Sequence, residues 1–323
     1  MGASLSGIWH YFRGAGKNMR NASTKMVQEL ACQDSQVMAL TADNRNEIYD
    51  SIREMLPKQY IDYGIAEENM VASAAGLASC GKIPFLYTIT NFMSMHAYEF
   101  IRNDVCVANQ NVKFLGRSSG LVSSSMGATH QGTEEVSMLR ALPNLMVITP
   151  ATPIEAREAT RWAYYHQGPV YIRLEGFNEP ELYDEDYQFV PGKGHIVRAG
   201  NDVCVIAMGS VINEAIRAAE ILALENISVA VVNMPTVTPV DGNLIKELAG
   251  NMKVMITLEE HSIYGGLGSA VAEVLAENGL ACNFKRMGLH GCAKGCGNRQ
   301  DMREINGLSY EDVVNNIRGM LKI

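Results

Sequence analysis

Gly64-Ile-Ala-Glu-Glu-Asn-Met-Val-Ala-Ser-Ala-Ala-Gly76, followed by Pro84-Phe-Leu-Tyr-Thr88, sets an acid-led run of small residues directly before a short apolar strand. The first piece reads as a helix opening at Glu67 and the second as a buried strand, and this alternation recurs along the chain. Further strands are expected near Val37 to Leu40, Val112 to Leu115, Leu145 to Ile148 and Val170 to Ile172. In the second half they are expected near Val203 to Ala207, Ser228 to Val232, Val254 to Leu258 and Ala281 to Lys285. Helices are expected between them, at about Val211 to Glu225, Asp241 to Leu248, Gly268 to Glu277 and Tyr310 to Leu321, with Asp241 as an N-cap. Short β-branched runs separated by helical segments are the signature of βαβ units, so the expected class is α/β, as two doubly wound domains with mostly parallel sheets.

A chain of 323 residues exceeds what one core usually organises. The expected division is an N-terminal extension over 1–18, a first domain over 19–178, a linker over 179–193 and a second domain over 194–323. The linker reading rests on Glu179 to Tyr187, which is acidic and aromatic and lacks apolar periodicity. With 47% hydrophobic and 19% charged residues the composition is that of an ordinary globular protein. A formal charge of -8 and a pI near 5.4 argue against nucleic acid or an anionic membrane as partner. No apolar run approaches the roughly 20 residues of a membrane span, and Met1 to Asn18 lacks a signal-peptide core, so a cytoplasmic location is expected. The Met1-Gly2 myristoylation pattern and the sequons at Asn21 and Asn226 are too short to carry weight. Seven cysteines in such a chain read as reduced thiols. Cys292 and Cys296 lie in a glycine-rich loop after His290, and one Cys pair is too few ligands for zinc, so the loop reads as flexible with two free thiols.

A glutamate in a first helical turn is ordinarily explained by the helix dipole alone. The segments downstream of Glu67 change that reading. They are Thr129-His130-Gln131-Gly132-Thr133-Glu134-Glu135, Leu139-Arg140-Ala141-Leu142-Pro143-Asn144, Thr149-Pro150-Ala151, and Leu258-Glu259-Glu260-His261-Ser262 running into Gly265-Gly266-Leu267-Gly268. In that order, from about Met19 to the C-terminus, the set resembles the C-terminal half of transketolase, a thiamine-diphosphate enzyme.

The resemblance implies roles residue by residue. Glu67 would hydrogen-bond the aminopyrimidine of thiamine diphosphate and favour the tautomer that deprotonates the thiazolium carbon. Thr88-Ile89-Thr90-Asn91-Phe92 matches the segment whose rings face the aminopyrimidine, with Phe92 retained and Ile89 in place of the first ring. Asp43, in the Ala42-Asp43 turn, would lie with the cofactor. His130 would stand beside the reacting carbons as a proton carrier; a structural cap near Thr133 is the competing reading. The Glu259-Glu260-His261 motif would support assembly away from the chemistry, and the Gly265-Gly266-Leu267-Gly268 turn lacks the signature of a phosphate loop.

Transketolases hold the diphosphate through magnesium on a Gly-Asp-Gly segment, and this sequence has none. The resemblance therefore implies half an enzyme, with no metal ligands of its own. A separate subunit would carry the diphosphate-binding domain and Mg2+, the expected assembly being an α2β2 heterotetramer. The family's phosphate-contacting serine falls near Glu47, its histidine near Ser118 and its arginine at Gly176; its donor-side aspartate is replaced by Met126. Arg45 and Arg117 could rebuild an anion site from other directions. The expected activity is transfer of a two-carbon ketol unit from a ketose-like donor to an aldehyde, with sugar-like substrates not held by the usual phosphate grip. A 2-oxoacid dehydrogenase β-subunit and a 1-deoxyxylulose-5-phosphate synthase-like enzyme are the alternatives.

Overall fold

The computed structural model describes residues 18–44, 46–176, 179 and 181–322. The N-terminal 17 residues and Arg45 thus lie outside the described residues. The first half forms β1 (Val37–Thr41), β2 (Tyr60–Asp62), β3 (Ile83–Ile89), β4 (Lys113–Arg117), β5 (Met146–Ile148) and β6 (Val170–Leu174). Its helices are α1 (Met19–Gln33), α2 (Glu47–Met55), α3 (Glu67–Ser79), the single turn α4 (Tyr98–Phe100), α5 (Glu135–Leu139) and α6 (Pro153–Tyr165). The second half contains β7 (His195–Arg198), β8 (Val203–Met208), β9 (Val229–Asn233), β10 (Thr236–Thr238), β11 (Val254–Ser262) and β12 (Phe284–Leu289). Between and after these strands run α7 (Ile212–Ala223), α8 (Gly242–Asn251), α9 (Leu267–Glu277), α10 (Arg299–Ile305) and α11 (Tyr310–Leu321).

Two sheets result, of order β10-β5-β6-β4-β3-β1-β2 and β12-β11-β8-β9-β7. All pairings are parallel except β10 with β5 and β7 with β9. Successive side chains of a strand point to opposite faces, and here both faces are covered. Met38 and Leu40 of β1 enter one core while Val37 and Ala39 enter the other. Cys204 and Ile206 of β8 likewise face away from Val203 and Val205. This is why the strands read as unbroken apolar runs. Each fully buried Val, Leu or Ile contributes roughly 1.5–3 kcal/mol, so a strand slip of one residue is strongly opposed. Side-chain caps at Asn18, Asn46, Thr152, Asp241, Asn298 and Ser309 fix where helices start.

Four features depart from the sequence expectation. The last strand starts three residues later than the Ala281 to Lys285 reading, at Phe284. Segments Phe92–His96 and Ile101–Val107 are π-helical on either side of α4, a wide-turn geometry frequent at functional sites. Strand β10, from the second half of the chain, completes the edge of the first sheet. The acidic, aromatic connection is anchored as well as exposed: Glu179 is buried, and the Tyr183 hydroxyl lies 2.7 Å from Asn233 Nδ2, which donates to it.

Candidate active site

Three parallel strands end side by side and present most of the sequence-predicted residues on one sheet edge. Thr41 of β1 is in register with Tyr87 of β3, and Ile89 of β3 with Arg117 of β4. Just beyond β1, Asn44 is buried and its amide donates to Thr88 Oγ1 at 2.9 Å. Arg117 Nη1 donates to Asn44 Oδ1 at 2.7 Å, and Arg117 Nε to Ser118 Oγ at 3.2 Å. Asp43 and Ser118 have φ of 48° and 60°, the left-handed turns that let the chain leave the sheet. Burial lowers the pKa of Arg117, and nearby Arg20 adds to the effect while Tyr87 opposes it. The guanidinium is thus engaged by its own neighbours. Glu47 is the exposed first residue of α2, capped by Asn46 rather than joined to this cluster.

Glu67 is the first residue of α3 and only 3% exposed, yet its carboxylate has no hydrogen-bond or ion-pair partner among the described residues. Its oxygens are not among the wholly buried unpartnered atoms, so the carboxylate keeps an opening through which a donor can reach it. Helix α3 packs on the π-helical segment Phe92–His96, although Glu67 itself does not line the cavity beside Phe92. There Phe92 stacks on His96 with centroids 5.6 Å apart and meets His130 edge-on at 5.2 Å. His130 Nδ1 lies 2.9 Å from Thr129 Oγ1, which leaves Nε2 as the nitrogen available to a ligand. His130 is half-buried in a 3₁₀ turn and caps no helix: α5 starts at Glu135 without a side-chain cap.

A cavity of about 370 Å³ opens here, lined by Asn91, Phe92, Met95, His96, Thr129 and Gln131 of the first half and by Cys292 of the second, among others. His96 and Cys292 were not singled out as site residues by the sequence, because only the π-helical turn and the packing of the two halves bring them to Phe92. A larger cavity, about 620 Å³, lies between α1, α6 and the connection near Glu181, and none of the sequence-predicted site residues lines it. Among the described residues, no three His, Cys, Asp or Glu side chains group so as to hold a metal ion, and no helix is long and apolar enough to cross a membrane.

The loop carrying His130 is held by a buried ionic network. Arg173, wholly buried on β6, donates from Nη2 to Gly132 O at 3.1 Å and to Glu260 O at 2.9 Å, and pairs with Glu135 and Glu175. Arg299, at the start of α10, pairs with Glu175 and Glu260. Arg303 Nε donates to Glu260 Oε1 at 2.5 Å, and Leu121 N to Glu260 Oε2 at 3.1 Å. Burial alone would raise the Glu260 carboxyl; the Arg299 and Arg303 guanidiniums override it and hold it well below the usual range. The Glu259-Glu260-His261 motif is therefore an internal fastening between the two halves. Glu259 accepts from Leu267 N and Gly268 N, both at 2.8 Å, so these two amides of the Gly265–Gly268 turn are occupied by the protein's own carboxylate. His261 is fully buried, and burial pushes its pKa down to about 4, which keeps it neutral.

Comparison with known proteins places this geometry. The description "Transketolase, pyrimidine binding domain" matches residues 15–178, and "Transketolase, C-terminal domain" matches residues 192–313. The chain is 38% identical over 259 residues to an apulose-4-phosphate transketolase subunit of Actinobacillus succinogenes, covering 80% of this chain and 83% of that protein. It is 35% identical over 297 residues to the 6-deoxy-6-sulfo-D-fructose transketolase subunit SqwH of a Clostridium species, covering 92% of each. Among solved structures, a split-gene transketolase described as an inactive beta4 tetramer superposes with a TM-score of 0.86 at 36% identity, covering 95% of this chain and 99% of that one. The chain belongs to the transketolase family, as the kind of subunit that carries the pyrimidine-binding and C-terminal domains of a split enzyme.

Proposed function

We propose that this chain is the catalytic half of a cytoplasmic, thiamine-diphosphate-dependent enzyme of carbohydrate metabolism. It would move a two-carbon ketol unit from a ketose-like donor to an aldehyde acceptor, and be active only with a partner subunit that carries the diphosphate-binding domain and the Mg2+ ligands. An α2β2 heterotetramer is the simplest assembly with two such sites. The observation that carries the reading is Glu67: a residue only 3% exposed at the head of a helix packed on the Phe92 segment, whose still accessible carboxylate has no partner among the described residues of its own chain. A pyrimidine nitrogen that shares a proton with it would satisfy that carboxylate.

Thiamine diphosphate, when bound, supplies the carbanion chemistry, and the chain's residues do the rest. Glu67 holds a proton at the pyrimidine nitrogen. Phe92 and Ile89 furnish the apolar wall that keeps water from it, and Asp43 stands at the turn beyond β1 to orient the cofactor. His130, with Nδ1 engaged by Thr129, offers Nε2 to a substrate oxygen and can pass a proton to or from it. Ser118 and Arg117 at the strand ends and Glu47 at the head of α2 are proposed substrate contacts, as is Arg45, which lies outside the described residues. The inactive tetramer formed by the similar split-gene protein supports the need for a partner.

The test is reconstitution. The chain and a partner bearing a Gly-Asp-Gly segment are co-expressed, purified as a complex and assayed for ketol transfer with thiamine diphosphate and Mg2+. Turnover by the complex, with none by either chain alone, is the expected result. Transfer by this chain alone, or none by a complex that binds the cofactor, refutes the reading.

A further inference from the structure

His130 is held from two directions by one dipeptide. Phe92 meets its imidazole edge-on at 5.2 Å, and the preceding residue, Asn91, reaches the backbone around it. Asn91 Nδ2 donates to Thr129 O at 3.3 Å and to Gln131 O at 2.9 Å, the carbonyls immediately before and after His130. A side-chain amide nitrogen carries two hydrogens, and these bonds use both. Turning the amide over would set Oδ1 against two carbonyl oxygens, so the network itself decides which atom faces the loop. Oδ1 lies on the Gly132 side, where a Cβ on that glycine would sit 3.1 Å from it, 3.1 Å from Thr90 Cγ2 and 3.2 Å from Ser119 Cα. The glycine that follows Gln131 thus leaves Asn91 room to come this close.

This hold is separate from the fastening of the loop as a whole. Gly120 and Gly132 exchange backbone bonds of 2.6 and 3.1 Å, and Arg173 grips Gly132 O, all downstream of His130. Upstream, Gly127 O accepts from His130 N at 3.0 Å and closes the 3₁₀ turn. What Asn91 adds is a fixed spacing between the Phe92 segment and the residues that bracket His130. Its Oδ1 is buried without a partner, which costs stability, so the side chain is explained by what its nitrogen does.

We infer that Asn91 is a positioning residue for His130: it passes no proton itself, but it fixes the loop against Phe92 so that the imidazole keeps one place, with the Nε2 that Thr129 leaves free ready for the proton step. The inference rests on the ketol-transfer reading, which gives His130 its task, and adds the residue that keeps it there.

One arm of the test needs no turnover. The full chain is isotope-labelled at histidine Cε1 and its imidazole resonances are recorded by NMR, with His130 identified by its loss in His130→Gln. Because Phe92 lies edge-on to His130, its ring displaces that resonance from the position of the exposed His290. Asn91→Asp keeps the shape of the side chain and removes the donor; Asn91→Leu removes it without adding a charge, and is read where the first does not fold. Either is expected to move the His130 resonance towards that of His290. His166 and His195, which pack on Trp162 and Tyr187, should stay in place. In the complex, the same variants are expected to lower kcat about 10²-fold, the scale of a misplacement on the order of 1 Å, with KM little changed. A His130 resonance that does not move, one that moves together with those of His166 and His195, or a kcat within a few-fold of the native complex overturns the inference. The two readings fail separately: a shifted His130 in a complex that never transfers ketol units removes the function and leaves the positioning. Turnover that survives either variant intact does the reverse.

Discussion

Replacing Glu260 by glutamine removes one negative charge from the centre of the interdomain network and keeps the shape. In the native chain its carboxylate accepts from Arg299, Arg303 and the Leu121 amide. Removing one partner of a buried ion pair costs about 3–5 kcal/mol, because the remaining charges stay desolvated and uncompensated. The lower end applies, since Arg299 keeps Glu175 and Arg303 keeps Glu214. For 323 residues, at roughly 2.1 cal/mol/K per residue, a loss of about 3 kcal/mol lowers Tm by about 4 °C. The pH dependence has a definite sign. A carboxyl held below its ordinary value contributes stability that is full above the unfolded pKa, about 4.3, and lost as pH falls through the lower folded value. Calorimetry at pH 7 and pH 3 should therefore show a native-minus-variant gap that narrows in acid. Glu225→Gln, which breaks the exposed pair with Arg318, is the control and should change Tm little. An unchanged Tm for Glu260→Gln at pH 7, or a gap that widens in acid, refutes the account of the network.

Two further outcomes are expected. Glu67→Gln in the complex should cut ketol transfer by roughly 10²–10⁴-fold without lowering Tm, since the carboxylate has no bond to lose among the described residues; activity within a few-fold would falsify its role at the cofactor. Glu155 is buried and accepts from Ala151 N, Asn233 and Tyr187, and burial lifts its carboxyl to about 7. Its folded pKa is thus raised, so its stabilisation is full below the unfolded value and lost as pH rises through about 7; melts from pH 5 to 8 should show this decline vanish in Glu155→Gln, and a parallel decline in both proteins counts against it.

The central strands were legible because burial on both faces writes itself as β-branched runs, as in Val203 to Met208. Strands β2 and β10 were not. Tyr60-Ile61-Asp62 is half-exposed, and Thr236-Val237-Thr238 is a strand only because a distant edge, β5, lies beside it. Helix α10 escaped notice because its polar face, with Arg299 and Arg303, is addressed to Glu260 and Glu175 across the interface rather than to an apolar core. The site divides in the same way. Glu67, Phe92 and His130 could be named from local motifs, whereas His96 depends on a π-helical turn and Cys292 on the packing of the halves. The same packing gives Arg173, one residue past the expected Val170 to Ile172 strand, its hold on the His130 loop.

Strand β10 has one more consequence. A protein cut near residue 193 would leave β5 with a bare edge, an invitation to stick to other molecules, and would take Asn233 from Glu155. However the genes of a split enzyme are arranged, these two sheets have to leave the ribosome as one polypeptide.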